Sequence, residues 1–190
     1  MTDAVRETVS PHAHRWTRAE YERIVEVGGF GAQARLELLD GDIVDMSPQK
    51  SAHASAADLT EAVLRACTFA NAYVRTQKPL AIDDISEPEP DIAVVPGSPR
   101  DYAQAHPTSA LLVIEIADSS LTYDRERKAR VYARNGIADY WILNLRDGVL
   151  EIHRAPQDDA YRRIDTLDPG QQISPLAAPA CVVGVAEILP

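Results

Sequence analysis

Three features of the sequence predict an α/β (α+β) fold: a central mixed β-sheet flanked by helices, with an N-terminal hairpin. Short apolar runs such as DIAVV, LLVIEI and YWILNL are too brief for helices and read as buried strands. Two longer stretches, 53–69 and 123–134, carry apolar residues at helical spacing. Asp40-Gly41 and Asp147-Gly148 sit between strand-like segments, where a tight turn is needed. A chain of 190 residues, 45% of them hydrophobic, can bury one proper core, and nothing in its pattern asks for two. The expected organisation is a flexible tail over 1–15 and a single domain over 16–190.

In chain order, the tail has no periodicity, and its His12 and His14 read as solvated. Thr17 is an N-cap for a helix over 18–27, with Glu20 at the capping-box position and Gly28-Gly29 as the stop. RLELL, Asp40-Gly41 and DIVDM form a hairpin over 35–46, ended by Ser47-Pro48. A helix over 53–69 follows, with His53 near its start. Residues 72–82 are strand-like but contain Lys78 and Pro79, which points to a sheet edge. An acidic, proline-interrupted loop spans 83–90, and a short buried strand spans 92–95.

The run 111–116 is the most apolar in the chain and looks buried on both faces. Thr122 caps a helix over 123–134, which Gly136 stops. Strands are expected over 140–145, 149–153 and 161–167, and one or two short elements over 171–190.

Charge and cysteine usage narrow the function classes. Asp and Glu number 29 against 19 Lys and Arg, for a formal net charge of -10. That balance disfavours tight non-specific DNA binding, which depends on Lys and Arg meeting phosphates. Cys67 and Cys181 are far apart and have no metal-ligand spacing, so they read as small buried apolar residues of a reducing cytosol. No run approaches the ~18 apolar residues of a membrane span, and the N-terminus lacks an apolar signal core. The expected location is the cytoplasm.

The chemistry concentrates on a few acidic side chains, one lysine and one histidine. Asp91 opens one apolar run and Glu115 interrupts another. Roughly fifteen residues without a long helix join the two runs, which favours an antiparallel return over a parallel crossover. Antiparallel pairing sets the start of one strand beside the end of the next, and so sets Asp91 beside Glu115. Two close carboxylates repel unless a proton or a cation intervenes. Mg²⁺ typically takes one or two carboxylates plus waters and phosphate oxygens. The alternative is structural, with Asp91 capping its strand and Glu115 paired to an arginine.

On the helix, Leu121, Asp124, Lys128, Val131, Tyr132 and Asn135 share a face whose apolar members turn it inward. That aims Lys128 at the sheet, with Asp124 positioned for an i, i+4 pair. The alternative is a snorkelling lysine on a solvated helix. Arg125, Arg127, Arg130 and Arg134 scatter over the other sides and give a local positive excess. Glu37 is either a solvated strand position paired to a nearby arginine or a functional residue. His53 is either a capping or packing residue or a group that meets phosphate.

These residues carry a family resemblance. Pro90-Asp91 followed by Glu115-Ile116-Ala117 resembles the PD-(D/E)xK nuclease signature with its lysine displaced. The longer string EIADSSLTYDRERKARVYARNGIADYWILNL, with RLELLDGDIVDMSP and PDIAVV, resembles the bacterial restriction-endonuclease-like Uma2 family over roughly residues 16–189. The resemblance implies a restriction-endonuclease-like core and a Mg²⁺- or Mn²⁺-dependent endonuclease acting on nucleic acid, DNA first. It implies metal ligation by Asp91, Glu115 and the Ile116 carbonyl. It also implies catalytic roles for Lys128, standing in for the lysine absent at Ala117, and for Glu37. His53 and Asp124 are candidate substrate contacts. A homodimer is what two-strand cleavage by this fold implies. Two rival readings remain open: a catalytically degenerate interaction or regulatory module of the same fold, and a metal hydrolase of a small phosphorylated molecule.

Overall fold

The computed structural model describes residues 13–31 and 34–190. The expectations for His12 and for most of the tail lie outside them. Residues 13–15 belong to no regular element. Here His14 lies 3.5 Å from Glu20, and the Arg15 guanidinium donates to the Asp40 carbonyl.

Helix α1 (Arg18–Glu26) starts where the capping box requires, with Thr17 and Glu20 exchanging side-chain-to-backbone hydrogen bonds. Strands β1 (Leu36–Leu39) and β2 (Asp42–Asp45) form the hairpin, turning through Asp40 and Gly41 at φ 51° and 74°. Positive φ at both positions is what a two-residue hairpin turn of this hand needs. Helix α2 (Ser51–Ala66) begins two residues before the expected start and ends three residues before the expected end.

The main sheet has six strands in the order β3-β4-β5-β6-β7-β8. They are β3 (Ala72–Thr76), β4 (Ile92–Pro96), β5 (Leu112–Ala117), β6 (Asp139–Asn144), β7 (Val149–Gln157) and β8 (Ala160–Leu167). Only β5 and β6 pair in parallel; every other neighbour is antiparallel, so the sheet is mixed. A parallel pair needs a long crossover. The chain supplies it as α3 (Leu121–Tyr123), one π-helical stretch (Asp124–Lys128) and α4 (Ala129–Arg134). The strand expected over 72–82 stops at Thr76, where Gln77 turns the chain at φ 49° ahead of Pro79. The β7–β8 hairpin is longer than expected and turns at Asp158, with φ 54°.

Alternating side chains divide the interior into two cores. On one face Val113, Ala117, Ile142 and Tyr140 pack under α4 through Val131 and Tyr132. On the other, Ile114, Ile116, Trp141 and Leu143 pack against Ala56 and Leu64 of α2 and Val185 and Ile188. The latter two belong to α5 (Val185–Ile188), which follows the short pair β9 (Gln172–Ile173) and β10 (Val183–Gly184). All six residues of β5 are buried, as its sequence predicts. Each of its large apolar side chains contributes about 1.5–3 kcal/mol of transfer free energy.

The cysteine expectation is corrected. Cys67, just past α2, and Cys181, just before β10, form a disulfide with Cα atoms 5.4 Å apart. Their 114-residue separation hides this in the sequence, where spacing alone cannot show that α2 packs on the C-terminal segment.

Candidate active site

Extending the β4–β5 register, in which Ile92 faces Ile114, by one pair sets Asp91 opposite Glu115. The two residues hold each other. The Ile116 amide donates to Asp91 Oδ2 at 2.8 Å, and the Asp91 amide reaches Glu115 Oε2 at 3.4 Å. Glu115 is 3% exposed. Its Oε1 accepts from Lys128 Nζ at 3.0 Å and from Tyr132 Oη at 2.7 Å.

Lys128 is buried and shared: its Nζ also lies 3.3 Å from Glu37 Oε2. Glu37 is buried too, and accepts from the Glu89 amide at 3.1 Å and from Tyr123 Oη at 3.3 Å. The arginine pairing left open for Glu37 is therefore not the one found, and the snorkelling alternative for Lys128 fails. The i, i+4 pair of Lys128 with Asp124 does not form either. Asp124 Oδ2 accepts from Ser120 Oγ at 2.6 Å instead.

The π-helical stretch explains the placement of both residues. One wider turn over Asp124–Lys128 lets Asp124 and Lys128 both point inward, while the apolar face of α4 stays on the core. His53, in the first turn of α2, lies 3.2 Å from Asp91 Oδ2. Glu37, His53, Asp91, Glu115, Ile116, Asp124 and Lys128 all line one cleft of about 260 Å³.

Charge in this cleft is unbalanced. Burial pushes the Glu115 carboxyl up to about 8; Lys128 opposes the shift, and Asp124, Asp91 and Glu37 add to it. Burial also raises Asp124, again against Lys128. Burial would lower the Lys128 ammonium, but Glu115 and Glu37 hold it well above its ordinary value, so it stays charged. Asp91 raises His53 above its ordinary value, against burial.

The donor set suits a hard cation. Asp91, Glu115 and the Ile116 carbonyl offer oxygen only. Asp91 Oδ1 has no hydrogen-bond partner among the described residues, and Glu115 Oε2 has only the long one from Asp91. Those residues contain no group of three or more His, Cys, Asp or Glu side chains arranged to hold a metal. The arrangement matches the Mg²⁺ habit of two carboxylates completed by water and substrate rather than a full protein cage.

Sequence reasoning missed the hydroxyl supports Tyr132, Tyr123 and Ser120. Their spacing carries no signal until the chain's path is known. Acids from other segments meet much of the positive excess expected of the 121–134 region. Arg125 pairs with Glu151, Arg127 with Asp42, and Arg134 with Asp40 and Asp83.

Residues 18–186 match the Uma2 family, described as "Putative restriction endonuclease". The fold is similar to the crystal structure of a "putative nuclease belonging to DUF820" from Anabaena variabilis ATCC 29413. That match has a TM-score of 0.63 at 15% sequence identity and covers 83% of this chain and 90% of the other. No curated protein matches the chain. No helix among the described residues is long and apolar enough to cross a membrane.

Proposed function

The chain belongs to the Uma2 family, and on that premise we propose that it is a Mg²⁺- or Mn²⁺-dependent endonuclease that hydrolyses phosphodiester bonds in nucleic acid, DNA first. One observation carries the reading: Asp91 and Glu115 stand side by side in the cleft with Lys128 bonded to the second of them. Asp91, Glu115 and the Ile116 carbonyl would hold a divalent ion, which would supply positive charge beside the scissile phosphate and acidify a bound water.

The chain's own residues do the rest. The Ile116 amide and the Tyr132 hydroxyl fix the two carboxylates before substrate arrives, so little reorganisation is needed. Lys128, charged and held between Glu115 and Glu37, orients the attacking water and offsets negative charge as it builds on the phosphate. Glu37 anchors that lysine and accepts from a water at the cleft wall. His53, whose Nε2 lies 3.2 Å from Asp91 Oδ2, takes the role of donor to a phosphate oxygen or of proton carrier to the leaving group in this reading. Asp124, held by Ser120, meets substrate only as an acceptor, of water or a hydroxyl. Cleavage of both strands of a duplex calls for a homodimer, so the dimer belongs to the same proposal.

The test is nicking of plasmid DNA with Mn²⁺. Asp91→Ala and Lys128→Ala each reduce the rate by about 10²-fold or more, in line with the loss of one preorganised charge-stabilising group. Equal activity in all three proteins removes the mechanism. A second reading is favoured by the ion pairs that occupy Arg125, Arg127 and Arg134, since they reduce the positive surface left for a duplex. In that reading the fold serves as a non-catalytic interaction module, and the chain binds no divalent ion through Asp91 and Glu115.

A further inference from the structure

A second pocket of about 430 Å³ lies along the outer edge of the sheet, on β3 and the short turn Pro99–Tyr102. Its wall contains Arg65, Arg75, Lys78 and His106 with the rings of Tyr73 and Tyr102, and no carboxylate. In a chain with a net charge of -10 that composition runs against the average.

Arg75 is the unusual member. It is 7% exposed, yet its Nε and Nη1 are buried without any hydrogen-bond partner among the described residues. It also makes no ion pair among them. Its one visible compensation is the Tyr102 ring, whose centroid lies 5.8 Å from Cζ. Tyr102 is itself fixed by donating to the Pro96 carbonyl at 2.8 Å.

A lysine in this place can shed its proton; a guanidinium stays charged. A buried, unpaired charge is costly, and a cation–π contact offsets only about 0.5–2 kcal/mol of that cost. The missing partner is an anion whose oxygens accept from guanidinium N–H groups.

We propose that this pocket is a phosphate-binding site, with Arg75 as its buried cation, Lys78 and the Glu61-paired Arg65 as exposed outer cations, and Tyr73 and Tyr102 as an aromatic wall beside the bound group. Phosphate fits better than a lone carboxylate because several cations converge on one pocket. The tyrosine rings, 6.3 Å apart, add a surface suited to a nucleoside base.

Two sources share this chemistry: a backbone phosphate of a nucleic acid, and a free nucleotide. The topology favours the first. Arg75 faces Ala93 across the β3–β4 ladder, two residues from Asp91, so it shares a sheet face with Asp91. Just past β3, the Gln77 amide donates to the Asp91 carbonyl at 3.1 Å. The pocket therefore lies one strand out from the candidate active site. The proposal does not rest on the metal reading, because phosphate binding is measured without divalent ions.

The test is calorimetry of the full chain in EDTA at fixed ionic strength, with inorganic phosphate, a 5′-mononucleotide and a short oligonucleotide as probes. The wild type is expected to bind phosphate saturably against a chloride background. Arg75→Gln is expected to weaken binding by about tenfold or more, and the exposed variants Arg65→Ala and Lys78→Ala by a few-fold each. Should Arg75→Gln fail to fold, the two exposed variants carry the test alone. Tighter binding of the oligonucleotide than of the mononucleotide, lost in the same variants, identifies the polymer as the source. The reverse order identifies the free nucleotide. Absence of saturable binding by all three probes, or equal binding by the wild type and the variants that fold, overturns the proposal.

Discussion

Glu115 and Glu151 stand in one row of the sheet, each directly opposite Ile142, and both are almost fully buried. The same crossover serves both: Lys128 reaches Glu115, and Arg125 reaches Glu151. Their electrostatic fates are opposite. Glu115 rises to about 8, whereas Glu151 falls to about 2.

Burial raises both; the partners differ. Glu151 has His153 nearby, a two-pronged Arg125 at 2.9 and 2.6 Å, and Asn144 at 3.0 Å. His153 stands 3.8 Å away, and the arginine fork and Asn144 bond the carboxylate directly, so together these partners outweigh burial. Glu115 shares one lysine with Glu37 and faces Asp91 and Asp124. One glutamate is a completed structural pair. The other sits in an acid cluster short of positive charge, which a bound cation would relieve.

Substitution to the isosteric amide separates these roles. The largest expected effect is on activity: Glu115→Gln lowers Mn²⁺-dependent nicking by about 10²-fold or more, while the thermal midpoint at neutral pH holds, because Gln matches the protonated carboxyl that burial favours there. A large drop in the midpoint without loss of nicking would reverse the assignment. Next in size, Glu151→Gln leaves the Arg125 fork without its charged acceptor and destabilises by about 1.5–3 kcal/mol, read from urea unfolding, with nicking per folded molecule retained. A nicking defect in that variant as deep as that of Glu115→Gln would erase the contrast.

The smallest effect is on pH dependence. Glu115 has a folded pKa of about 8 against an ordinary 4.5, so the native state keeps a proton that the unfolded chain releases. Its contribution is full below about 4.5 and is lost as pH rises through 8. Glu151, lowered from 4.5 to about 2, contributes above 4.5 and is lost as pH falls through 2. Melting curves over this range should show Glu115→Gln flattening the limb between about 4.5 and 8 and Glu151→Gln flattening the limb below about 4.5. The same limb flattened in both would mean the two environments are alike.

The difference between these glutamates was only half readable in the sequence. LLVIEI marks Glu115 as a costly carboxylate, and the short connection to DIAVV gives it Asp91 as a neighbour through antiparallel pairing. The inward face of Lys128 followed from Val131 and Tyr132. Glu151 gave no comparable signal, because VLEIH alternates like any half-buried strand, and its burial depends on Arg125 arriving from the crossover. The π-helical turn was not readable either: it changes the helical period for one turn only, and it replaced the Asp124–Lys128 pair with a lysine shared by Glu37 and Glu115. Strand and helix existence came from local periodicity. The disulfide, the hydroxyl supports and the consumed arginines all depend on contacts between distant segments.

Mn²⁺ calorimetry on the wild type, Glu115→Gln and Glu151→Gln tests the central claim most directly. The account predicts saturable binding by the wild type and by Glu151→Gln, and its loss in Glu115→Gln with the fold intact. Binding by Glu115→Gln equal to wild type, or no binding by any of the three, would contradict it.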